Sequence, residues 1–313
     1  MTPSTIGIDI SKDHLDVHRL SDGARARFAN DKTGHKALIK WLSKVPVARV
    51  VYEPTGPYHR GLEHALGSVG LPLAKVNPRQ ARRFAEATGR LAKTDRADAA
   101  MLARMGELLA LQSGPMHGKI LNDLKELHVA RQALVKDRTA AKNREKTLSI
   151  ALLKRQNMAR LKEIGRALAA IDQVMKTLIA SDASLHRRFD ILLSIPGVSM
   201  LTACALLIDM PELGTLDGKQ AASLSGLAPI ARQSGHWIGR AFIRGGRANV
   251  RQALYMPALV AARFNPDFKH TYGRLIGAGK PPKVAITAIM RKLVVLANAL
   301  LRDDRSWSPN LAC

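Results

Sequence analysis

Four acidic residues and one serine have the types and spacings that could do chemistry. Asp9 lies between Ile8 and Ile10 in the run STIGIDI. A carboxylate inside an apolar strand is costly unless an opposite charge or a cation meets it. Glu53 closes the β-branched run VVYE, and the turn signal Pro54-Thr55-Gly56 follows it. Asp95 and Asp98 stand at i and i+3 in KTDRADAAML, so a helix presents both from one face. Ligands that are all oxygen suit Mg2+ or Mn2+ better than zinc. Such ions activate a nucleophile and stabilise a leaving oxygen in phosphoryl transfer. Plainer readings exist for three of the acids. Asp95 and Asp98 could be first-turn acids facing a helix dipole, and Glu53 a solvated strand end. Asp9 is harder to read as surface. Asp13 and Asp16 fall in a turn and on a polar strand face, and are weaker candidates.

Ser234 precedes Gly235 in RQSGHWIGRAFIRGG, with Arg232, Arg240, Arg244, Arg247 and Arg251 around it. A serine attacking a phosphodiester needs help in losing its proton and cations on the non-bridging oxygens. The arginines are candidates for the second task and for nucleic-acid binding. No His–Asp pair stands at hydrolase spacing, although His236 is near. The plainer reading of Ser234 is a turn residue in a basic loop. Ser199, Ser223 and Ser225 read as helix-end or packing residues.

The elements that must gather the acids follow from periodicity. Strands are expected at Ser4–Ile10, His14–Leu20 and Ala24–Ala29, then a helix at His35–Val45 and a strand at Arg49–Glu53. A helix at Tyr58–Leu66, a strand at Pro72–Val76 and a helix from Pro78 to Ala87 come next. A last helix runs from Thr94 to Leu111, with Thr94 as its N-cap. The order βββαβαβα is that of the ribonuclease-H-like fold, which alone proves no activity. Beyond it the chain is helical and basic to Asp190. Leu161, Ile164, Leu168, Ile171, Met175 and Leu178 form a heptad seam. That seam fits either a helical hairpin packed on its own domain or a coiled coil between chains. From Ile191 an all-α domain is expected. It opens with the Pro-Gly turn of SIPGVSMLTACALL and ends in an amphipathic helix, Lys283–Leu301. The expected division is residues 1–112, a helical linker at 113–190, a C-terminal domain at 191–302 and a loose tail at 303–313.

Composition bounds the partners. The chain has 313 residues, 49 Lys plus Arg against 25 acids, and a net charge of +24. Such an excess fits a polyanion, because each neutralised phosphate releases a condensed counterion. The imbalance peaks from Gly218 to Lys292, with 13 basic residues and one acid, Asp267. No apolar run of transmembrane length and no signal peptide is evident. Cys204 and Cys313 suggest neither a disulfide framework nor a zinc site. The expectation is a cytoplasmic protein with no membrane partner.

The segments GIDISKDHLDV, VVYEPTGPYHRGLEHAL, AKTDRADAAMLA, SIPGVSMLTACALL, GLAPIARQSG and GGRANVRQALY resemble, in order, the DEDD transposases of the insertion sequence one-ten family. The resemblance covers nearly the whole chain. It implies an α/β RuvC-like domain whose tetrad falls on Asp9, Glu53, Asp95 and Asp98, a helical coiled-coil linker, and an all-α transposase domain with Ser234 as catalytic serine. A second serine of some members is replaced here by Arg244. The resemblance further implies Mg2+ and a structured non-coding guide RNA, the bridge RNA, that pairs with donor and target DNA. It also implies a homodimer or homotetramer in which one protomer's RuvC-like site completes another's serine site. The expected function is a transposase that exchanges DNA strands through a covalent phosphoserine. The alternative is a RuvC-like, structure-specific metal endonuclease acting by hydrolysis. A basic RNA-binding scaffold is a third reading, and it leaves Asp9 without a role.

Overall fold

The computed structural model describes residues 3–54, 56–89, 95–113 and 118–309, without the side chains of 95–97 and 238. The chain forms two compact units, Met1–His117 and Gly118–Cys313.

The first unit is built on one mixed sheet. Its elements are β1 (Ser4–Ile10), β2 (His14–Arg19), β3 (Arg25–Ala29), α1 (Lys32–Leu42), β4 (Val47–Tyr52), α2 (His59–Ser68), β5 (Leu73–Lys75), α3 (Pro78–Ala87) and α4 (Asp95–Leu108). The strand order is β3-β2-β1-β4-β5, with β1 central. The first three strands pair antiparallel through short turns, and β4 and β5 add in parallel. Parallel pairing needs crossovers, and α1 and α2 supply them. Asp31 caps α1 by accepting from the Gly34 amide at 2.7 Å, so that helix starts at Lys32 rather than at His35. Asn77 caps α3 ahead of Pro78. The cap expected at Thr94 lies outside the described residues.

Period-two alternation sorts the sheet into two faces. Ile6, Ile8, Ile10, Val50 and Tyr52 pack with Leu38, Leu42, Leu62 and Leu66. On the opposite face Val51 and Ala74 pack with Met101, Leu102 and Met105 of α4. Here α4 lies directly on the strand backbone. A Cβ on Gly7 would stand 2.0 Å from the Ala99 carbonyl oxygen and 2.5 Å from the Ala103 amide nitrogen. A Cβ on Gly106 would stand 2.4 Å from Val51 Cγ2. Only glycine permits either approach.

The second unit comprises α5 (Lys119–Glu145), α6 (Ala151–Ala180), α7 (Ala183–Ser194), α8 (Met200–Asp209), α9 (Gly218–Leu224), β6 (Pro229–Ser234), β7 (Trp237–Ile243), α10 (Ala248–Phe264), α11 (Pro266–Gly277) and α12 (Pro282–Arg302). Three expectations need correction. First, the segment at 113–190 is not a separate linker. Leu124 of α5 and Met175 and Ile179 of α6 share one core with α7 to α12. The seam residues Ile164, Leu168 and Met175 are buried within the chain, where α6 packs on α5. The Arg131–Asp172 ion pair and the bond from Asn157 Nδ2 to the Ala141 carbonyl tie those two helices together. Second, the C-terminal part is not all helix. β6 and β7 form an antiparallel hairpin, because PIARQS and WIGRAFI flank a two-residue turn in which Gly235 takes φ 55°. Third, residues 303–309 are not loose. Trp307 packs against the core and its amide donates to Ser194 Oγ at 2.7 Å.

By length and composition α12 could cross a membrane. Instead Ile286, Ile289, Leu293, Val294 and Leu300 are buried in the second core.

Two stability outcomes follow. Gly7→Ala should cost about 1–3 kcal/mol or more, because α4 must lift from β1. Gly165→Ala, on an exposed turn of α6 where a Cβ meets nothing, should gain up to about 1 kcal/mol. Thermal unfolding compares them, and equal midpoints would refute the close seating of α4. Leu168→Lys should lower the melting temperature without changing the molar mass in light scattering, since its seam is filled from within the chain. A lost oligomer with an unchanged melting temperature would show that the seam pairs chains.

Candidate functional site

The alternation that seats α4 also places the acids. Thr5, Gly7 and Asp9 share one face of β1, and Val51 and Glu53 share the same face of β4 and its continuation. The last parallel rung pairs Ile8 with Tyr52, so Asp9 and Glu53 are the next residues on neighbouring strands. α4 runs over this face in a defined direction. Its C-terminal end is tied to the strand starts, where Thr5 Oγ1 donates to Glu107 and Arg49 donates to the Gly106 carbonyl at 2.8 Å. Ala103 and Ala99 lie over Gly7. Asp98 comes next along the helix, toward the strand end that carries Asp9 and Glu53. All three carboxylates are half-buried. Asp95 belongs to α4, but its side chain lies outside the described residues. Among the described residues, no group of three His, Cys, Asp or Glu side chains closes into a metal-holding cluster. The donors that share this end are all oxygen, which is the chemistry of a hard divalent cation.

Neighbouring acids are engaged elsewhere. Asp16 pairs with Asp9 across the β1–β2 ladder, but its carboxylate accepts two bonds from Arg27 at 2.8 and 3.0 Å. On the other face of β4, Tyr52 and Lys75 both bond to Glu63, and His59 Nε2 stands 3.8 Å from it. Burial pushes the Tyr52 hydroxyl far above its ordinary range and lowers the His59 imidazole. This network clamps the strand end that leads into Glu53. Sequence reasoning missed it; the only local signal is the i, i+4 spacing of His59 and Glu63.

Ser234 is the last residue of β6, exposed and paired with Trp237 across the turn. The five arginines around it divide into two sets. Arg247 makes a bidentate pair with Glu212 at 2.6 and 2.7 Å and donates to the Asp209 carbonyl at 2.6 Å. Arg251 donates to the carbonyls of Gly245 and Ser225. Both hold the fold. Arg232, Arg240 and Arg244 are exposed and form no ion pair among the described residues. Arg232 instead lies over the rings of Trp237 and Phe242, at 5.9 and 5.6 Å from their centroids. Behind the start of α10, burial raises the Asp209 carboxyl against the opposing pull of His128, and burial lowers His128.

Comparison with known proteins gives this geometry a family. Residues 6–158 match a family described as transposase (DEDD_Tnp_IS110), and residues 189–273 match the transposase IS116/IS110/IS902 family. The chain is 29% identical over 329 residues to the pilin gene-inverting protein of Moraxella bovis, covering 99% of each chain. The pilin gene-inverting protein of Moraxella lacunata is similar at the same identity and coverage. An uncharacterized 42 kDa protein of insertion element IS900 from Mycobacterium paratuberculosis is 31% identical over 166 residues, 51% of this chain and 39% of that one. With both family matches in order along one chain, this protein belongs to the IS110 family of insertion-element transposases.

Proposed function

We propose that this transposase cuts and rejoins DNA with two sets of residues, a carboxylate site on the first unit and the Ser234 hydroxyl on the second. The observation that carries the reading is the placement of Asp9 and Glu53 side by side at one strand end, with α4 delivering Asp98 toward it. The strand order β3-β2-β1-β4-β5, antiparallel then parallel, supports a RuvC-like, ribonuclease-H-like assignment. Asp9, Glu53, Asp95 and Asp98 would hold Mg2+, or Mn2+. When bound, that ion supplies charge stabilisation at phosphate oxygens and favours loss of a proton from an attacking hydroxyl. The chain's own residues do the rest. The half-buried carboxylates present fixed oxygen donors from rigid elements. The Ser234 oxygen bonds to phosphorus as the phosphorus–sugar oxygen bond breaks, and the sugar oxygen takes a proton as it leaves. Arg232, Arg240 and Arg244 offset charge on the non-bridging oxygens. The phosphoserine ester keeps the energy of the broken bond, so a second sugar hydroxyl can reverse the step and join strands.

The relatives support joining over plain hydrolysis. Two of them are named for inverting a gene, and inversion requires that every cut end be rejoined. Guide-RNA pairing with donor and target DNA, a homodimer or homotetramer, and action in the cytoplasm complete the proposal. The net charge of +24 supports the nucleic-acid partners.

Asp9→Asn and Glu53→Gln should each lower strand cleavage roughly 100-fold or more in Mg2+. Their far-ultraviolet circular dichroism should match wild type. Wild-type cleavage rates in both variants would remove the carboxylate site. Ser234→Ala should abolish the protein-shifted DNA band on denaturing gels together with cleavage. Nicking at the wild-type rate without that band would establish the hydrolytic endonuclease instead.

A further inference from the structure

The β6–β7 hairpin does not behave as a packed element. Every residue of β6 is exposed, and Ile230, Trp237, Phe242 and Ile243 present 43%, 56%, 37% and 37% of their surface to solvent. Two-stranded hairpins are marginal on their own. What orders this one beyond its ladder is a stack, with the Arg232 guanidinium against Trp237 and Phe242. The Trp237 indole also lies against Gly239, where a Cβ would meet it at 2.3 Å. Glycine at 239 leaves room for the ring there, and more than half of Trp237 stays exposed. No acidic residue occurs between Asp217 and Asp267. Arg232, Arg240 and Arg244 therefore have no carboxylate near them in sequence, and none pairs with them among the described residues.

An aromatic ring more than half exposed, beside cations that form no ion pair among the described residues, fits a ligand with a flat π-surface and a negative charge. A nucleotide has both. A base inside a duplex hides its faces in the stack, so the fitting ligand is an unpaired one. We propose that the Trp237–Arg232–Phe242 stack is a platform for an unpaired nucleotide of the nucleic-acid substrate, its base on the Trp237 ring and its phosphates toward Arg240 and Arg244. The inference rests on the reading of the chain as a nucleic-acid-processing enzyme, but not on Ser234 as nucleophile. Ser234 sits across the turn from Trp237, so the platform would splay the strand next to that hydroxyl. Stacking of this kind tolerates any base.

Trp237 is well suited to report on its own occupancy. The other two tryptophans are packed. Trp41 lies against the first core beneath Arg19, at 4.4 Å, and Trp307 against the second core. The full chain is titrated at moderate salt with a labelled single-stranded oligothymidylate. Anisotropy of the label reads binding, and tryptophan emission reads stacking. Heparin and a blunt duplex of equal length serve as anionic controls. The expected result is quenching by the single strand, weaker quenching by the duplex and none by heparin. Trp237→Phe should lose the quenching yet keep binding, and Trp237→Ala should bind roughly 5-fold or more weakly. Oligonucleotide binding without quenching, equal quenching by heparin or duplex, or quenching that survives Trp237→Phe would overturn the platform and leave the enzyme reading standing. Failure of the oligonucleotide to bind at all would overturn both.

Discussion

The contact on which the first unit depends is backbone against backbone, α4 lying on β1 at Gly7. Side chains usually hold a helix well away from a sheet. Here Gly7 removes the side chain from the strand, Ala99 and Ala103 keep the helix surface low, and Gly106 admits Val51. The position of the helix along its axis is then set at the far end by Thr5–Glu107 and by Arg49 on the Gly106 carbonyl. Once axis, height and direction are set, the placement of Asp98 relative to Asp9 is no longer free. The carboxylate arrangement is thus a by-product of close packing, which is stiffer than a loop. Catalytic groups need placement to within a fraction of an ångström, and the proposed carboxylate site, carried on a strand end and a seated helix, suits that demand.

Both units pair cations with carboxylates at short range, and the second also carries Arg232, Arg240 and Arg244, which form no ion pair among the described residues. In the first, cations meet carboxylates at short range: Arg19 with Asp22, Arg27 with Asp16, Lys75 with Glu63. Asp22 is held down to about 2 by the Arg19 guanidinium. In the second, Arg187, Arg188 and Arg247 bind the chain's own carbonyls or acids, but the hairpin arginines have no such acceptors among the described residues. Surface pairs contribute little to stability, so leaving these unpaired costs the fold little. It does keep their charge available to a polyanion. The structure separates the arginines that hold the fold from those left exposed, and on the proposed function the second set meets the nucleic acid.

Much of the first unit was legible because alternation with a period of two is a local signal. Asp9 stood out as the single charge in an apolar strand, and Glu53 as the end of a β-branched run. The helix expected from Thr94 to Leu111 was legible from its apolar face, and α4 covers Asp95–Leu108 of it among the described residues. Legibility failed where partners are distant or where one pattern serves two geometries. The heptad spacing on α6 is the same whether α5 or another chain fills the seam. Arg247 reads as a cation for nucleic acid, since Glu212, which it pairs with, lies 35 residues earlier. The Tyr52–Glu63–Lys75 network joins a strand end, a helix and a second strand, and no window of sequence contains it. The hairpin was overlooked for another reason. Its alternation is broken by a register shift between Ile230 and Arg232, and its arginines made it read as a basic loop.

The proposed chemistry explains why the serine is on an arm while the acids are on a floor. A phosphate held at a rigid carboxylate site must stay still during bond exchange, but a strand that is cut and rejoined must change partners. A nucleophile carried on an exposed hairpin can hold the covalent strand end through that exchange, because little of the second core depends on the hairpin's position. Among the described residues no hydrogen bond joins the Ser234 hydroxyl to a carboxylate or an imidazole. His236 shares its turn and is exposed, and the sequence from 218 to 266 contains no carboxylate. A serine hydroxyl in that setting is nearly inert toward phosphorus. On this reading the arm's reactivity is conditional: it arises only when carboxylates from outside the segment are brought to it together with the DNA.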